Sequence, residues 1–564
     1  MTRLKNIPVL IFLVLCPALY GQQEDQREAL TEIIEKYGQA EVTFNYPGYS
    51  GLTEIGRLIS ISSLLGDRVF AVLSSKDVDT FLSLGLKYKL IIPDETKSVE
   101  SALSVQEAMN WDLYPTYPQY DTIMHKLAGD YPEICMIDTI GYSLEGRLIL
   151  ALKISDNVGE DEDEPEVFYT STMHGDELQG YVLMLRFAEH LLENYQGGGQ
   201  EGRLIDSLEI WINPLANPDG TYNGGDTISN PTRFNSAGTD LNRNFPDPLD
   251  QSIVPEHENV EMINFMREKN FVLSANFHGG YEVVNFPWDR WAGKIPADSV
   301  WFYSISRKYT DTVHNHSVET YMDSYNDGVV RGAVWYVIYG GRQDFVTYEL
   351  QGREVTIELD ITKQTPAAQL PLLWDYNYRS FLGYLENAFY GIHGKVIDDD
   401  TGEPVRAKVF IEGHDKDSSH VYSDTIYGSF VRMLDPGTWD LSFTAEGYYP
   451  VTVSGITLEG DQQRFINVRL SDSATRVPRL PEEVLKVYPV PAGDHIFIDP
   501  GTITGQTVNI AIYDHMGNKE TELHNIASGS DDIFIPVSHL APGYYILRLT
   551  DMQGRQHHAS FVKN

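Results

Sequence analysis

His174 and Glu177 stand three apart in Met173-His174-Gly175-Asp176-Glu177, and far along the chain His278 stands in Asn276-Phe277-His278-Gly279-Gly280. Two imidazoles and one carboxylate suffice to hold a zinc ion with a fourth position left for water, and an open position separates a catalytic metal from a structural one. A metal held in this way makes water nucleophilic near neutral pH, so the chemistry expected is hydrolysis. Spacing alone does not select these histidines. His314 and His316 lie close together, and His125, His190 and His257 are scattered rivals.

The elements that must position the set are readable nearby. Glu166–Thr172 is apolar and β-branched, as a buried strand is. Gly180–Tyr195 carries Val182, Leu185, Ala188, Leu191 and Leu192 at helical spacing. His174 and Glu177 are therefore expected on a strand-to-helix turn, on one side of a helix start, with Gly175 allowing a tight backbone turn between them. Glu358 interrupts the buried run Val355–Leu359, where a carboxylate is costly unless it has a partner or a task. Glu349 and Glu354 are rivals for that task, and strand alternation puts Glu354 and Glu358 on one face.

Six pieces occur in order: HGDE at 174–177, NPDG at 217–220, DLNRNFPD at 240–247, NFHGG at 276–280, WYVIYGGRQD at 335–344 and EVTIEL at 354–359. Together they resemble the M14 zinc carboxypeptidases, in particular the carboxypeptidase N/E branch that includes carboxypeptidases D and M, over about residues 110–470. The resemblance implies one Zn2+ on His174, Glu177 and His278. It implies Asp240 as the carboxylate that orients the first ligand histidine, Glu358 as catalytic base and Arg233 as stabiliser of the oxyanion. It also implies Asn242, Arg243 and Tyr336 as the receptor for a free C-terminal carboxylate, a task suited to the planar fork of an arginine. Asp289 and Gln343 match positions lining the first primed pocket in the branch that removes basic residues, so release of Lys or Arg from peptide or protein C-termini is expected. Arg342 departs from that picture: a guanidinium entering the pocket would neutralise Asp289 and repel basic substrates. An amidase or peptidoglycan peptidase on the same scaffold, and a noncatalytic surface-binding protein, stay open as alternatives.

The fold class expected is an α/β catalytic domain at 106–390, with a mixed, mostly parallel sheet flanked by helices, because strand-like and helical runs alternate there. A small α/β module at 22–105 precedes it, either a propeptide-like inhibitor or folding aid, or a permanent accessory domain. Two β-sandwich domains follow. That at 391–471 has short alternating strands and resembles the transthyretin-like domain of the carboxypeptidase branch. That at 484–564, after a linker at 472–483, is similar to the type IX secretion sorting domain of Bacteroidetes. Arg3 and Lys5 before the apolar Ile7–Leu19 read as a signal peptide at 1–21, too short to span a bilayer; Cys16 leaves a lipoprotein anchor as a rival. Export to the cell surface or beyond, by the type IX secretion machinery, is the localisation expected, with no transmembrane helix.

Composition narrows the class further. The 564 residues carry a formal net charge of −39, which argues against nucleic acid as partner and suits cationic substrates. With only Cys16 and Cys135 in the chain, stability must come from packed cores rather than disulfides, and Cys135 is expected as a small buried hydrophobe. The acidic run Glu160–Glu164 is expected as a solvated turn, with a calcium site as the other reading.

Overall fold

The computed structural model describes residues 15–93, 99–250, 252–472, 485–499, 505–514, 518–529, 532–552 and 556–564. Residues 1–14 of the expected leader and 473–483 of the expected linker lie outside the described residues. The chain forms two compact units, Met1–Ser471 and Asp472–Asn564. No helix among the described residues is long and apolar enough to cross a membrane.

The first unit opens with a four-stranded antiparallel sheet of β1 (Ala40–Asn45), β2 (Ser60–Leu65), β3 (Arg68–Leu73) and β4 (Tyr88–Ile91) in the order β2-β3-β1-β4. Val42, Phe44, Val69, Ala71 and Leu73 pack with Leu30 and Ile34 of helix Leu15–Tyr37 and with Phe81 of helix Val78–Ser83. β2 is an edge strand, and a register shift between Ile61 and Ser63 bulges it. Bulges at sheet edges re-aim side chains and turn backbone groups outward.

The central sheet has eight strands: β5 (Cys135–Tyr142), β6 (Leu148–Ile154), β7 (Glu166–Ser171), β8 (Glu209–Asn213), β9 (Phe271–His278), β10 (Tyr281–Phe286), β11 (Val329–Arg331) and β12 (Arg353–Asp360), ordered β11-β10-β12-β9-β7-β8-β6-β5. β12, β9, β7 and β8 run parallel in the middle, while β5 and β6 add antiparallel at one edge. Period-two alternation splits their side chains between two cores. Val167, Tyr169, Ile210, Ile212, Leu273, Ala275, Phe277, Val355, Ile357 and Leu359 face helices Tyr117–Asp130, Gln179–Asn194, Ser299–His314 and Leu370–Leu385. Phe168 and Trp211 face helices His257–Glu268 and Arg342–Glu349. By the same alternation Ser274, Asn276, His278, Glu354 and Glu358 share the second face, with His278 and Glu358 toward the carboxyl ends of their strands. Ligand sites of open α/β sheets form at such ends.

Residues 391–471 form a sandwich of a three-stranded and a four-stranded sheet. Buried ion pairs hold it to the central unit. Arg432 bonds Asp298 at 2.8 Å and Asp415 at 2.6 Å, and Arg353 of β12 bonds Asp298 at 2.8 Å. The acidic run is a turn with Glu160, Asp161 and Asp163 exposed, as expected, and it makes contacts besides. Lys395 pairs with Asp163, and the Tyr427 hydroxyl donates to the Asp161 carbonyl, so this loop docks onto the sandwich. Cys135 is buried, and burial pushes its thiol up to about 12, as befits a packing residue. The second unit has its own core of residues such as Ile496, Ile512, Ile535, Leu547 and Phe561.

Candidate metal centre and substrate cleft

β7 ends at Ser171, and the chain then turns sharply, with Thr172 in the left-handed region at φ 60°. Helix Gln179–Asn194 starts only after Glu177. His174 and Glu177 thus lie in the strand-to-helix turn, just ahead of the helix, where the Glu177 N–H donates to the His174 carbonyl at 3.1 Å. Gly175 has another purpose than the expected backbone freedom. A Cβ there would stand 2.3 Å from the Gly220 carbonyl carbon, so glycine is required for close approach to the segment after β8.

His174 Nδ1 lies 2.9 Å from Glu177 Oε1, His278 Nδ1 lies 2.7 Å from Glu177 Oε2, and the two Nδ1 atoms are 3.1 Å apart. Donors about 2 Å from a tetrahedral zinc stand roughly 3.3 Å apart, so this set fits such an ion. The remaining ring nitrogens fit it too. His174 Nε2 donates to Asp240 Oδ1 at 3.0 Å, which leaves Nδ1 with a free lone pair. His278 Nε2 lies 2.7 Å from the Asn276 side-chain amide. With Nδ1 as a ligand, Nε2 carries the proton, and the amide oxygen is its acceptor. That orientation gives Asn276 Oδ1, buried and otherwise unpartnered, its donor; amide orientation follows from the hydrogen-bond network. Burial also holds the His278 imidazole down at about 4, hence neutral, the form that coordinates a metal. Asn276 was singled out in the sequence only as part of NFHGG. Asn276→Ala is expected to weaken zinc binding about 10–100-fold, as loss of a partner behind a ligand histidine does; competition with a chromophoric chelator measures it.

The groups around the ligands are charged and buried. Arg233 Nη1 lies 3.1 Å from His174 Nδ1 and 3.2 Å from Glu177 Oε1, and its Nε donates to Asp240 Oδ2 at 2.9 Å. Burial opposes the charge of Asp240, but Arg233 and His174 outweigh it and hold the carboxyl well below the usual range. Glu358 sits directly beside His278 in the parallel pairing of β12 and β9. Burial, then the charge of Glu177, pushes its carboxyl up, and its Oε2 has no partner. The rivals are placed elsewhere. Glu349 is exposed, and Glu354 is held by Ser274 at 2.8 Å and by Arg342 at 3.0 Å. Among the other histidines, His190 binds Glu201, and His314 and His316 bond carbonyls of Met322 and Thr312.

Asp240, Asn242 and Arg243 lie on or beside one short turn, Leu241–Arg243, which Asp240 caps by accepting from Asn242 N. Asn242 Oδ1 accepts from the Arg342 backbone N–H at 3.0 Å, so the amide NH2 is left to donate. Tyr336 is buried, which pushes its hydroxyl up to about 12. Asp289 is also buried; its Oδ1 accepts from Asn285 Nδ2 at 3.0 Å. Gly332 leaves room for this carboxylate, since a Cβ there would come 1.6 Å from Asp289 Oδ1. Burial pushes Asp289 up to about 6. Burial, then the charge of Asp289, pushes the Asp344 carboxyl well up too. Gln343 is buried with both side-chain polar atoms unpartnered, as is Asn285 Oδ1. Arg342 does not neutralise Asp289: its guanidinium turns into the core, onto Glu354 and over the Phe168 ring.

Residues 120–380 match the family model described as zinc carboxypeptidase, and residues 486–564 that of a secretion system C-terminal sorting domain. Human (Homo sapiens) carboxypeptidase D is 32% identical over 415 residues, 68% of this chain and 30% of that protein, so the chain spans under a third of that relative's length. The human carboxypeptidase N catalytic chain is 32% identical over 440 residues, 71% of this chain and 91% of that protein. Among solved structures, carboxypeptidase A from Helicoverpa armigera superposes with a TM-score of 0.47 at 20% identity, over 61% of this chain and 96% of that one.

Proposed function

The chain belongs to the zinc carboxypeptidases of peptidase family M14, and on that premise we propose that it removes single Lys or Arg residues from peptide or protein C-termini outside the cell. The observation that carries this reading is the convergence of His174, Glu177 and His278 within hydrogen-bonding distance of one another, with Glu358 on the adjoining strand.

Zinc bound by these three side chains supplies a Lewis acid that lowers the pKa of water toward about 7 and polarises a carbonyl. The protein's residues do the rest. Glu358 accepts the proton of the attacking water and returns it to the leaving amine. Arg233, kept cationic by Asp240 and Glu177, faces the oxygen that gains charge. Arg243 and the Asn242 amide donate to the substrate's terminal carboxylate, and the Tyr336 hydroxyl donates to the same group. This receptor is what makes the enzyme trim an end rather than cut within a chain.

Asp289, with the free acceptors of Gln343 and Asn285 beside it, is the counter-charge for a leaving Lys or Arg. An apolar side chain would leave those groups desolvated and unpaired. Rates on two peptides that differ only in a final Arg or Phe test the reading, and faster release of Phe refutes it. Asp289→Asn is expected to cost the Arg peptide roughly 100-fold in kcat/KM, the penalty of a buried cation without its partner, while a Leu-ending peptide is nearly unaffected. The pH profile carries the same signature. Arg243, Glu354, Asp344 and Asn285 face Asp289, and the net result is ionisation near 6. Below that pH Asp289 is protonated and the pairing is lost, so kcat/KM for the Arg peptide falls as acid is added through pH 6 and the ratio of Arg to Leu rates falls with it.

The sorting domain at the C-terminus supports export by the type IX secretion machinery to the cell surface or medium. Appearance of the enzyme outside the cells without residues 484–564 is the result expected. The sandwich at 391–471 is read as the transthyretin-like domain of this carboxypeptidase branch, with a stabilising role.

A further inference from the structure

We infer that Asp344 is the positioning residue of the specificity pocket: its carboxyl group takes the backbone N–H groups of Asp289 and Arg290 together and so fixes the acid that meets a leaving Lys or Arg. This rests on the basic-specificity reading above and adds the residue that builds the pocket it requires.

Asp289 has no regular element to hold it. β10 ends at Phe286, three residues earlier, and the chain that follows is buried, with Trp288 and Asp289 only 1% and 3% exposed. Buried N–H groups outside a ladder need an acceptor. Asp344 Oδ1 accepts from the Asp289 N–H at 2.9 Å, and Oδ2 accepts from the Arg290 N–H at 2.8 Å. Two successive donors are thus met by the two oxygens of one side chain. A carboxyl group offers both oxygens as acceptors, whereas an amide would turn its NH2 against one of the N–H groups. The geometry therefore calls for aspartate at 344 and not asparagine.

The clamp is anchored on both sides. Asp344 stands in the first turn of the helix Arg342–Glu349, where the helix dipole favours an acidic side chain. Phe345 and Val346 pack that helix into the core shared with Phe168 and Phe245. Arg290 reaches the other way: its Nε donates to Asp247 Oδ2 at 2.9 Å, and its guanidinium lies 4.2 Å from the centre of the Tyr339 ring. The Ile338 N–H donates to the Asp289 carbonyl at 3.1 Å, and the Ala333 N–H to the Trp288 carbonyl at 2.8 Å. Both peptide groups that flank the Asp289 side chain thus have donor and acceptor paired, which leaves the side chain set against Asn285 in the space that Gly332 leaves open. A Cβ on Gly341 would stand 3.7 Å from Asp289 Oδ2 and 3.8 Å from Asn242 Oδ1, so the start of the same helix brings the acid next to the receptor for the substrate terminus. A leaving residue meets both, its carboxylate at the receptor and its side chain at Asp289, and loss of the clamp is felt at the second.

Asp344→Asn keeps the size of the side chain and breaks one arm of the clamp. In the full chain its kcat/KM on benzoylglycyl-arginine is expected to fall about tenfold or more, as loss of a hydrogen bond to a charged group does. The fall should lie in KM rather than kcat, because the interaction is made with bound substrate and transition state alike, and benzoylglycyl-leucine should be nearly unaffected. The double variant with Asp289→Asn shows the route of the effect. Since Asp344 acts through Asp289, the pair is expected to cost the Arg substrate no more than Asp289→Asn alone, whereas independent effects multiply. A crystal structure of the Asp344→Asn protein should show the Asp289 carboxyl group moved off Asn285. No fall on the Arg substrate, equal falls on both substrates, multiplying effects or an unmoved Asp289 each overturns the inference and leaves the Lys or Arg reading standing on Asp289→Asn. A parent enzyme with no preference for Arg over Leu sinks that reading instead, and the crystal structure then judges the clamp by itself. If Asp344→Asn does not fold, Asp344→Ser, which leaves room for a bridging water, is read in the same three ways.

Discussion

Glu358→Gln lowers kcat on an Arg-ending peptide by roughly 10²–10⁴-fold, the usual worth of a positioned general base, and leaves the bound zinc in place. The amide keeps the shape and polarity of the side chain, so the neighbouring backbone pairing with His278 is undisturbed. What it cannot do is accept a proton from water. The effect should appear in kcat rather than KM, because the proposed task of Glu358 is on the reacting atoms and not at the receptor at Arg243. Metal content by atomic emission, measured on the same sample as the rate, separates loss of base from loss of ion. If hydrolysis persists within a few-fold of the parent, the base is elsewhere, and the exposed Glu349 and the core-bound Glu354 leave few candidates to replace it.

A chelator abolishes turnover, and added zinc restores it along with thermal stability. The three ligand side chains approach each other to 2.7–3.1 Å in a buried site, and binding there stabilises the folded state by mass action, about 4 kcal/mol at a thousandfold excess over Kd. The Tm should therefore rise with free zinc. His278→Ala should lose both responses, for it removes one ligand and strands Asn276 without its ring. A parent protein whose Tm ignores zinc, or a His278→Ala chain that still turns over, would contradict the assignment.

The central strands were legible because each is short, apolar and buried on both faces: EVFYTS, EIWIN and the odd positions of REVTIELD carry no competing pattern. β5 was not, since its burial is mixed along CMIDTIGY. β2, SISSLL, hides behind three serines whose hydroxyls mask the period, and it reaches the site, where Ser60 Oγ donates to Asp240 and accepts from Arg233. The ligand residues were legible by type, and the resemblance, not residue physics, selects Glu358 over its neighbours; the fold supplies a physical reason, since Glu354 is spent on Arg342 and Ser274. The same pairing with Glu354 disposed of the concern over Arg342. Asn276 and Asn285 meet His278 and Asp289 only two and four residues away, and it is the amide's orientation, which spacing does not signal, that decides what each offers.

The ion cluster of Asp298, Arg353, Arg432 and Asp415 has a bearing on how this chain can be dissected. Secondary structure changes character at Tyr390, which invites a truncation there. Such a cut would leave the Arg353–Asp298 pair but strip Arg432 from Asp298 and the Ser419 carbonyl from Arg353, and each hydrogen bond lost from a charged group costs roughly 1.5–3 kcal/mol, a large part of what a domain has to spare. The visible seam between helices and strands is therefore not a line along which the protein divides, and residues through Ser471 must melt, refold and be expressed as one piece.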